Sequence, residues 1–201
     1  SDVYKRQVYG AIIIGNSCLI ILLYGLQSWV PTMLLRVYEW DLVQSGRVYG
    51  SIAMLAGSAG VLSGPFVLRY MSKINVNAPH FKLAIIGITM ATFSLVLLPF
   101  QPNVNIALVF VTMASFFVTL PLAGTSSAMV IVSPNRIRGV ITGIYVVVTS
   151  VFGLVLGPFL VASSTDFIFQ DTNAVAKSLA LVSVLVLSLI HISEPTRLAR
   201  I

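Results

Sequence analysis

The chain has 201 residues, of which 57% are hydrophobic and only 9% are charged, and its formal net charge at pH 7 is +6. Soluble domains carry about 25% charged residues, so a chain of this composition could not cover its surface in water. The cations are scattered along the sequence and form no basic stripe, which argues against a nucleic-acid-binding protein. The single cysteine, Cys18, excludes an internal disulfide and is expected to pack as a small apolar side chain.

Long uncharged runs predict six apolar helices. A helix needs about 20 apolar residues to cross the ~30 Å hydrocarbon core of a bilayer, and lipid requires every backbone polar group to be bonded internally. The runs are too continuously apolar for the alternating strands of a membrane barrel. The sequence therefore predicts an all-α integral membrane protein, with helices over about 8–35, 44–71, 81–98, 104–132, 138–162 and from 173 onward.

Both ends of the chain resemble a translated sequencing adapter. Residues 2–7 can be back-translated as GATGTGTATAAGAGACAG and residues 187–192 as CTGTCTCTTATACACATC, and these strings are reverse complements. We therefore expect an adapter artefact at each end, which would leave the last helix truncated. The expected segments are an artefact at 1–7, a first three-helix unit at 8–100, a second at 101–186, and an artefact at 187–201.

Loop charges predict how the helices are oriented. One side carries no acids and five cations: Arg69, Lys73, Lys82, Arg136 and Arg138. The other side carries three cations with four acids nearby. The positive-inside rule places the five-cation side in the cytoplasm, so we expect a cytoplasmic N-terminus in a bacterial inner membrane. The same cations could also cap helix ends or bind the headgroups of anionic membrane lipids.

A glycine pattern in the second helix recurs 93 residues later in the fifth. The two copies are Gly46, Gly50, Gly60, Gly64, Pro65, Phe66 and Gly139, Gly143, Gly153, Gly157, Pro158, Phe159. Each copy lies in the middle helix of a three-helix unit, and an odd number of spans inverts the second unit, as in secondary transporters. The GxxxG spacing of these glycines allows close helix packing. Packing alone would explain each glycine, and sliding of helices between states is the functional alternative.

Three sequence motifs carry a resemblance to a known family. They are Trp-Val-Pro at 29–31 followed by Arg36, Pro-Asn-Arg-Ile-Arg-Gly at 134–139, and Gly-Leu-Val-Leu-Gly-Pro at 153–158 followed by Thr165, Asp166 and Phe169. Together with the repeat, they resemble the C-terminal half of a major facilitator superfamily transporter, and most closely the spinster-like group. The resemblance implies half of a twelve-helix fold, with the N-terminal six-helix half as partner.

The cytoplasmic signature of that family, Gly-x-x-x-Asp-Arg-x-Gly-Arg-Arg, is only partly present after the second helix. Gly64, Arg69 and Lys73 match it, whereas Leu68 replaces the acid and Met71 replaces the second glycine. A cytoplasmic latch that depends on an acid at position 68 is therefore not available to this chain.

Neutral polar side chains are the candidates for a solute cavity. The resemblance implies that the first, second, fourth and fifth helices line the cavity, and helical spacing places polar residues on shared faces. The alternative for each hydroxyl is a bond to a carbonyl one turn back on its own helix. The candidates are Asn16, Tyr24, Ser115, Thr119, Tyr145 and Thr149.

The sequence gives no support for catalysis or for an ion carrier in this part of the protein. No metal-ligand cluster or phosphate-binding loop is present, so we expect no enzyme, metal or cofactor. No Asp, Glu, Lys or Arg lies mid-helix, so coupling to a proton or sodium ion would depend on the missing half. We expect a transporter that moves a small organic, amphipathic or lipid-like solute by alternating access, and a channel or non-transporting scaffold is the alternative.

Overall fold

The computed structural model describes residues 2–133 and 135–193, and within these the side chains of 9–130, 133 and 135–190. Ser1, Pro134 and residues 194–201 lie outside the described residues, and with them parts of both expected adapter segments. The expected boundaries at 7 and 187 fall inside continuous helices. The adapter origin of the terminal residues stays a prediction.

The described chain is all-helical and forms six spans, as the sequence predicts. The first span is α1 (Asp2–Val37), the second is α2 (Leu42–Ile52), a π-helical turn (Ala53–Gly57) and α3 (Ser58–Lys73), and the third is α4 (Pro79–Leu97) with a 3₁₀ turn (Leu98–Phe100). The fourth span is α5 (Val104–Thr119) and α6 (Leu122–Val132), and the fifth is α7 (Arg138–Ser163) with a π-helical turn (Ser164–Phe169). The sixth span is α8 (Val175–Ser193). Five spans are long and apolar enough to cross a membrane, and the apolar part of the sixth, Val175–Ile190, is shorter.

The fourth span is broken, whereas the sequence predicted one helix over 104–132. α5 ends at Thr119 and α6 begins at Leu122. Pro121 lies at the break, and a proline has no N–H to donate to the carbonyl four residues back. Its ring also clashes with that carbonyl, which here belongs to Phe117, so the helix turns at this point.

The packed centre of the bundle is built by the first, third, fourth and sixth spans. α1 and α4 both pack on α8, and α4 also packs on α5. Fully buried apolar side chains meet along these contacts, among them Leu19, Ile88, Val111 and Val182. The second and fifth spans lie at the edge, because only 11% and 28% of their most apolar stretches are buried, against 44% to 50% for the other long spans.

Side chains and left-handed residues fix several helix ends outside the apolar spans. The Asp41 carboxylate accepts a hydrogen bond from the Val43 N–H at 3.1 Å and caps α2. At the end of α3, Asn75 adopts a φ of 56°, and the Val76 N–H donates to the Met71 carbonyl, which is a Schellman motif. These caps place the turns at the ends of the spans.

The glycines of the second span pack against the broken fourth span. A Cβ added to Gly60 would come within 2.5 Å of the Phe116 carbonyl oxygen, and one on Gly64 would collide with the Leu120 carbonyl oxygen. Real Cβ atoms do not approach so closely, so only glycine permits this backbone contact. α3 therefore lies directly on the backbone at the break.

The glycines of the fifth span pack against the first span in the same manner. A Cβ on Gly153 would collide with the Ile20 side chain, and one on Gly157 would come within 2.5 Å of the Ile21 carbonyl oxygen. The middle helix of each three-helix unit thus contacts the first helix of the other unit. At the remaining four repeated glycines a Cβ would meet nothing within 4 Å: Gly46, Gly50, Gly139 and Gly143.

Candidate functional site

A cavity of about 480 Å³ lies between the first, second and fourth spans. Ligand pockets in proteins commonly measure about 300–1,000 Å³, so this cavity has room for a small organic molecule. Its lining combines hydroxyl and amide groups with aliphatic side chains, and none of the lining residues is charged. They are Leu23, Gln27, Tyr49, Ala53, Gly57, Ser58, Val61, Leu62, Ser115, Thr119 and Leu122.

The π-helical turn of the second span forms one wall of this cavity. Ala53 and Gly57 bound the turn, and the neighbouring Tyr49 and Ser58 also line the cavity. A π-helical turn takes up extra residues and so changes which side chains face inward, and such turns are frequent at functional sites. Tyr49 is 5% exposed, so its ring belongs to the wall.

Ser115 and Thr119, two of the predicted cavity residues, face the cavity from α5. Thr119 Oγ1 donates to the carbonyl of Ser115 at 2.9 Å, so its hydroxyl is satisfied within its own helix. Ser115 is 3% exposed, and its Oγ has no hydrogen-bond partner among the described residues. It lies beside the Tyr49 hydroxyl, and both residues line the cavity.

Asn16 and Tyr145, two further predicted residues, meet in a different place. Thr125 Oγ1 of α6 donates to Asn16 Oδ1 at 2.8 Å, and the Tyr145 hydroxyl of α7 lies beside the side chains of Thr125 and Ser126. The Tyr145 hydroxyl is buried and closes no hydrogen bond in the described structure. The structure thus joins the first, fourth and fifth spans by a polar cluster that is separate from the 480 Å³ cavity.

The last two predicted residues, Tyr24 and Thr149, are not among the lining residues of the cavity. Thr149 Oγ1 donates to the carbonyl of Tyr145 at 2.8 Å, which is the local bond that the sequence left as the alternative. Tyr24 is half-buried, and its Cβ lies beside Gly157 at the helix contact. Their contribution to solute binding stays a prediction.

Tyr49 and Ser58 are cavity residues that the sequence did not single out, and Gln27 was not among the candidates. The second span was interpreted through its glycines, and its polar residues received no role. Spacing gave no usable signal for Tyr49, because the π-helical turn at Ala53–Gly57 changes the helical phase between Tyr49 and Gly60.

Most of the loop cations proposed to lie in the cytoplasm are exposed, and one is hydrogen-bonded to a neighbouring side chain. Arg69, Lys73 and Arg136 are exposed, whereas Arg138 donates to Asn135 Oδ1 at 2.6 Å. The sequence places His80 in a solvated loop. The structure differs, because the His80 ring is half-buried and its Nδ1 lies 2.9 Å from the Gly124 carbonyl oxygen.

Trp29 ties the first and fifth spans together at the other end of the bundle. Its indole N–H donates to the Pro158 carbonyl at 3.0 Å, and the Arg36 guanidinium lies 5.9 Å from its ring centroid. Arg36 in turn donates to the Thr172 carbonyl at 3.2 Å. A Trp at the end of an apolar run predicts a membrane-interface anchor, and the structure gives it an interhelical hydrogen bond as well.

Beyond the bundle, burial raises the pKa of the Tyr38 hydroxyl above its ordinary value. The hydroxyl donates to the Gln101 carbonyl at 2.7 Å, which links the loops after the first and third spans. Among the described residues, no group of three or more His, Cys, Asp and Glu side chains could hold a metal ion.

Two solved structures share this fold. A crystal structure of a bacterial homologue of the human lysosomal transporter Spinster, in an inward-facing and occupied conformation, matches with a TM-score of 0.73 and 14% identity over 96% of this chain. The inward-facing and unoccupied form of a bacterial Spinster homologue matches with a TM-score of 0.73 and 15% identity over 92% of this chain. This chain spans only 50% and 46% of those proteins, so it corresponds to about half of their length.

Comparison with curated proteins gave no match. The family model of the Major Facilitator Superfamily, however, matches residues 1–158. That match covers more than half of the 201 residues, and it agrees with the six apolar spans and with the fold of the two solved structures. The chain belongs to the major facilitator superfamily.

Proposed function

We propose that the protein of which this chain forms a part is a membrane transporter that moves an amphipathic organic solute by alternating access. The N-terminal six-helix half is its missing partner, and the two halves rock about a site near the membrane midplane. A bacterial inner membrane with the cation-rich loops in the cytoplasm is the proposed location. Membrane lipid surrounds the bundle, and the coupling ion, a proton or sodium, would act in the other half.

The 480 Å³ cavity is the observation that carries this proposal. It combines aliphatic side chains such as Leu23 and Leu62 with the polar groups of Tyr49 and Ser115. A solute with a hydrocarbon part and a polar part fits such a lining, because each part meets groups of its own kind.

The crossed packing of the two units supports the alternating-access mechanism. Gly60 and Gly64 bring the second span onto the backbone of the fourth, and Gly153 and Gly157 bring the fifth onto the first. Each middle helix is thereby fixed to the other unit. The six spans can then move as one body against the other half.

Transport by the intact protein in liposomes tests the proposal. The complete reading frame is recovered, purified and reconstituted, and the uptake of lysolipids, sphingoid bases and short organic acids is followed with and without a proton gradient. We expect movement of the amphipathic solutes, which a gradient accelerates if the other half carries the coupling ion. Passive, non-saturable flux of ions would favour a channel, and no movement of any solute would favour a scaffold.

A further inference from the structure

The Ser115 hydroxyl is in an unusual position for a serine in an apolar helix. Two neighbouring hydroxyls on α5 donate one turn back along the helix: Thr112 to the Leu108 carbonyl at 2.7 Å, and Thr119 to the Ser115 carbonyl at 2.9 Å. Ser115 is as deeply buried as Thr119 but has no such partner. A buried hydroxyl without a hydrogen bond is costly, so a further polar group beside Ser115 would lower that cost.

The surroundings of Ser115 place that further group in the 480 Å³ cavity. Ser115 and the buried Tyr49 both line it, and the Tyr49 hydroxyl lies beside Ser115 without satisfying it. Ser58, at the end of the π-helical turn, lines the same space. Tyr and Ser hydroxyls can each donate and accept, so they suit a ligand group that does both.

The rest of the lining restricts the charge of the bound group. None of the residues around the cavity is ionised at neutral pH, and an unpaired charge in such a place would lose its hydration without a compensating partner. The aliphatic side chains of Leu23, Val61, Leu62 and Leu122 complete the lining. They suit a hydrocarbon chain attached to the polar group.

From this geometry we infer that Tyr49 and Ser115 form a subsite for an uncharged hydroxyl or amide group of an amphipathic solute. The inference rests on the proposed transport function and specifies which part of the solute this half holds. A solute whose headgroup also carries a charge must place that charge against the other half or in water. The hydrocarbon next to the hydroxyl or amide lies along the leucines and Val61.

Binding of matched uncharged amphiphiles to the intact transporter tests the subsite. Radiolabelled 1-monodecanoylglycerol, which carries two hydroxyls, is the probe, and methyl decanoate, which has the same chain without hydroxyls, and the decanoate anion are competitors. We expect the wild-type protein to prefer monodecanoylglycerol to both. Ser115→Ala and Tyr49→Phe should each weaken its binding about three- to tenfold, the equivalent of one neutral hydrogen bond.

The binding of methyl decanoate should change less than that of monodecanoylglycerol in both variants, because its ester can only accept a hydrogen bond and has no hydroxyl to donate. Thr112→Val is the matched control on α5, since its hydroxyl already bonds to its own helix, and it should keep the wild-type preference. Each variant is first checked for a monodisperse, cooperatively melting state, and either of the two cavity variants alone suffices for the test.

The possible outcomes distinguish a failure of the subsite from a failure of the proposed transport function. Loss of the preference in a folded Ser115→Ala or Tyr49→Phe protein supports the inference. Wild-type preference in both variants, or tighter binding of the decanoate anion, overturns it while liposome transport of amphiphiles continues to support a transporter. A wild-type protein that neither binds nor moves any amphiphile overturns both the subsite and the proposed function.

Discussion

At the scale of single residues, hydroxyl groups in these helices mostly bond within their own helix. Ser63, Ser94, Thr112 and Thr149 all donate to the carbonyl four residues back. Such a bond satisfies the hydroxyl without a partner helix. A Ser or Thr in an apolar run therefore does not identify a site by itself, and the departures from this pattern are more informative.

Asn16 is one departure, because its side chain bonds across helices to Thr125. We expect Asn16→Leu and Thr125→Val each to destabilise the bundle, and the double variant to cost less than their sum. Interhelical hydrogen bonds in membrane proteins contribute on average about 0.6 kcal/mol and at most about 1.7 kcal/mol. A double-mutant cycle from unfolding in mixed micelles measures this coupling, and strictly additive costs would show that the 2.8 Å contact contributes nothing.

Trp29 provides a second prediction at this scale. Trp29→Phe retains an aromatic ring at the end of the first span but removes the N–H that donates to the Pro158 carbonyl. We expect a loss of about 1 kcal/mol in the free energy of unfolding. Trp40→Phe is the control, because its half-buried indole has no hydrogen bond with the described residues. Equal effects of the two substitutions would mean that both tryptophans act only as interface anchors.

At the scale of helices, the repeated glycines divide into two groups. Gly60, Gly64 and Gly157 lie at close backbone contacts and Gly153 lies against the Ile20 side chain, whereas the four nearer the starts of α2 and α7 have open space around them. The repeat predicts helix packing for both groups alike. At the second group this packing stays a prediction, because no described atom lies within 4 Å of a Cβ added there.

Alanine substitutions should distinguish the two groups in this chain. Gly64→Ala places a Cβ against the Leu120 carbonyl oxygen, so we expect overpacking to cost about 1–3 kcal/mol. Gly50→Ala meets nothing within 4 Å, and alanine favours a helix by up to about 1 kcal/mol over glycine, so stability should stay equal or rise. Thermal melting in detergent measures both, and equal melting temperatures would contradict the close contact at Gly64.

The sequence alone predicts the spans but not how each helix is interrupted. Pro31, Pro65 and Pro158 all lie inside continuous helices, whereas Pro121 lies at a break. Neighbouring helices can satisfy the backbone groups that a proline frees in a membrane. Which proline breaks a helix is therefore not evident from the sequence alone; at this break Gly60, Gly64 and Gly87 lie close to the backbone of residues 116–121.

Only some of the residues that line the cavity were predictable from the sequence. Ser115 and Thr119 were accessible to sequence analysis because they lie four residues apart on a helix that the family resemblance placed at the cavity. Tyr49 was not, because the π-helical turn at Ala53–Gly57 changes the helical phase between it and Gly60. Such a turn has no clear sequence signature, so side-chain direction beyond it cannot be derived from spacing.

At the scale of the whole molecule, the close-packed glycines of each three-helix unit lie against a helix of the other unit. The chain over residues 1–100 contains Gly60 and Gly64 but lacks the fourth span on which they pack. We therefore expect a chain that ends at residue 100 to be inserted into membranes but not stably packed. Limited proteolysis should cut it in the loop at 74–78 far faster than the full 201-residue chain, and equal resistance would show that the first unit folds alone.

The crossed glycine contacts also determine the order in which the bundle can assemble during synthesis. Leu120 follows Gly64 by 56 residues, which a ribosome adds in roughly 3–11 s at about 5–20 residues per second. For that time the second span exposes its glycines to lipid, with no partner to dock on. The fifth span meets the opposite situation, because Ile20 and Ile21 were made long before Gly153 and Gly157 appear. Gly60 and Gly64 can therefore pack only after the fourth span has been made. Gly153 and Gly157 can pack on the first span as soon as they appear.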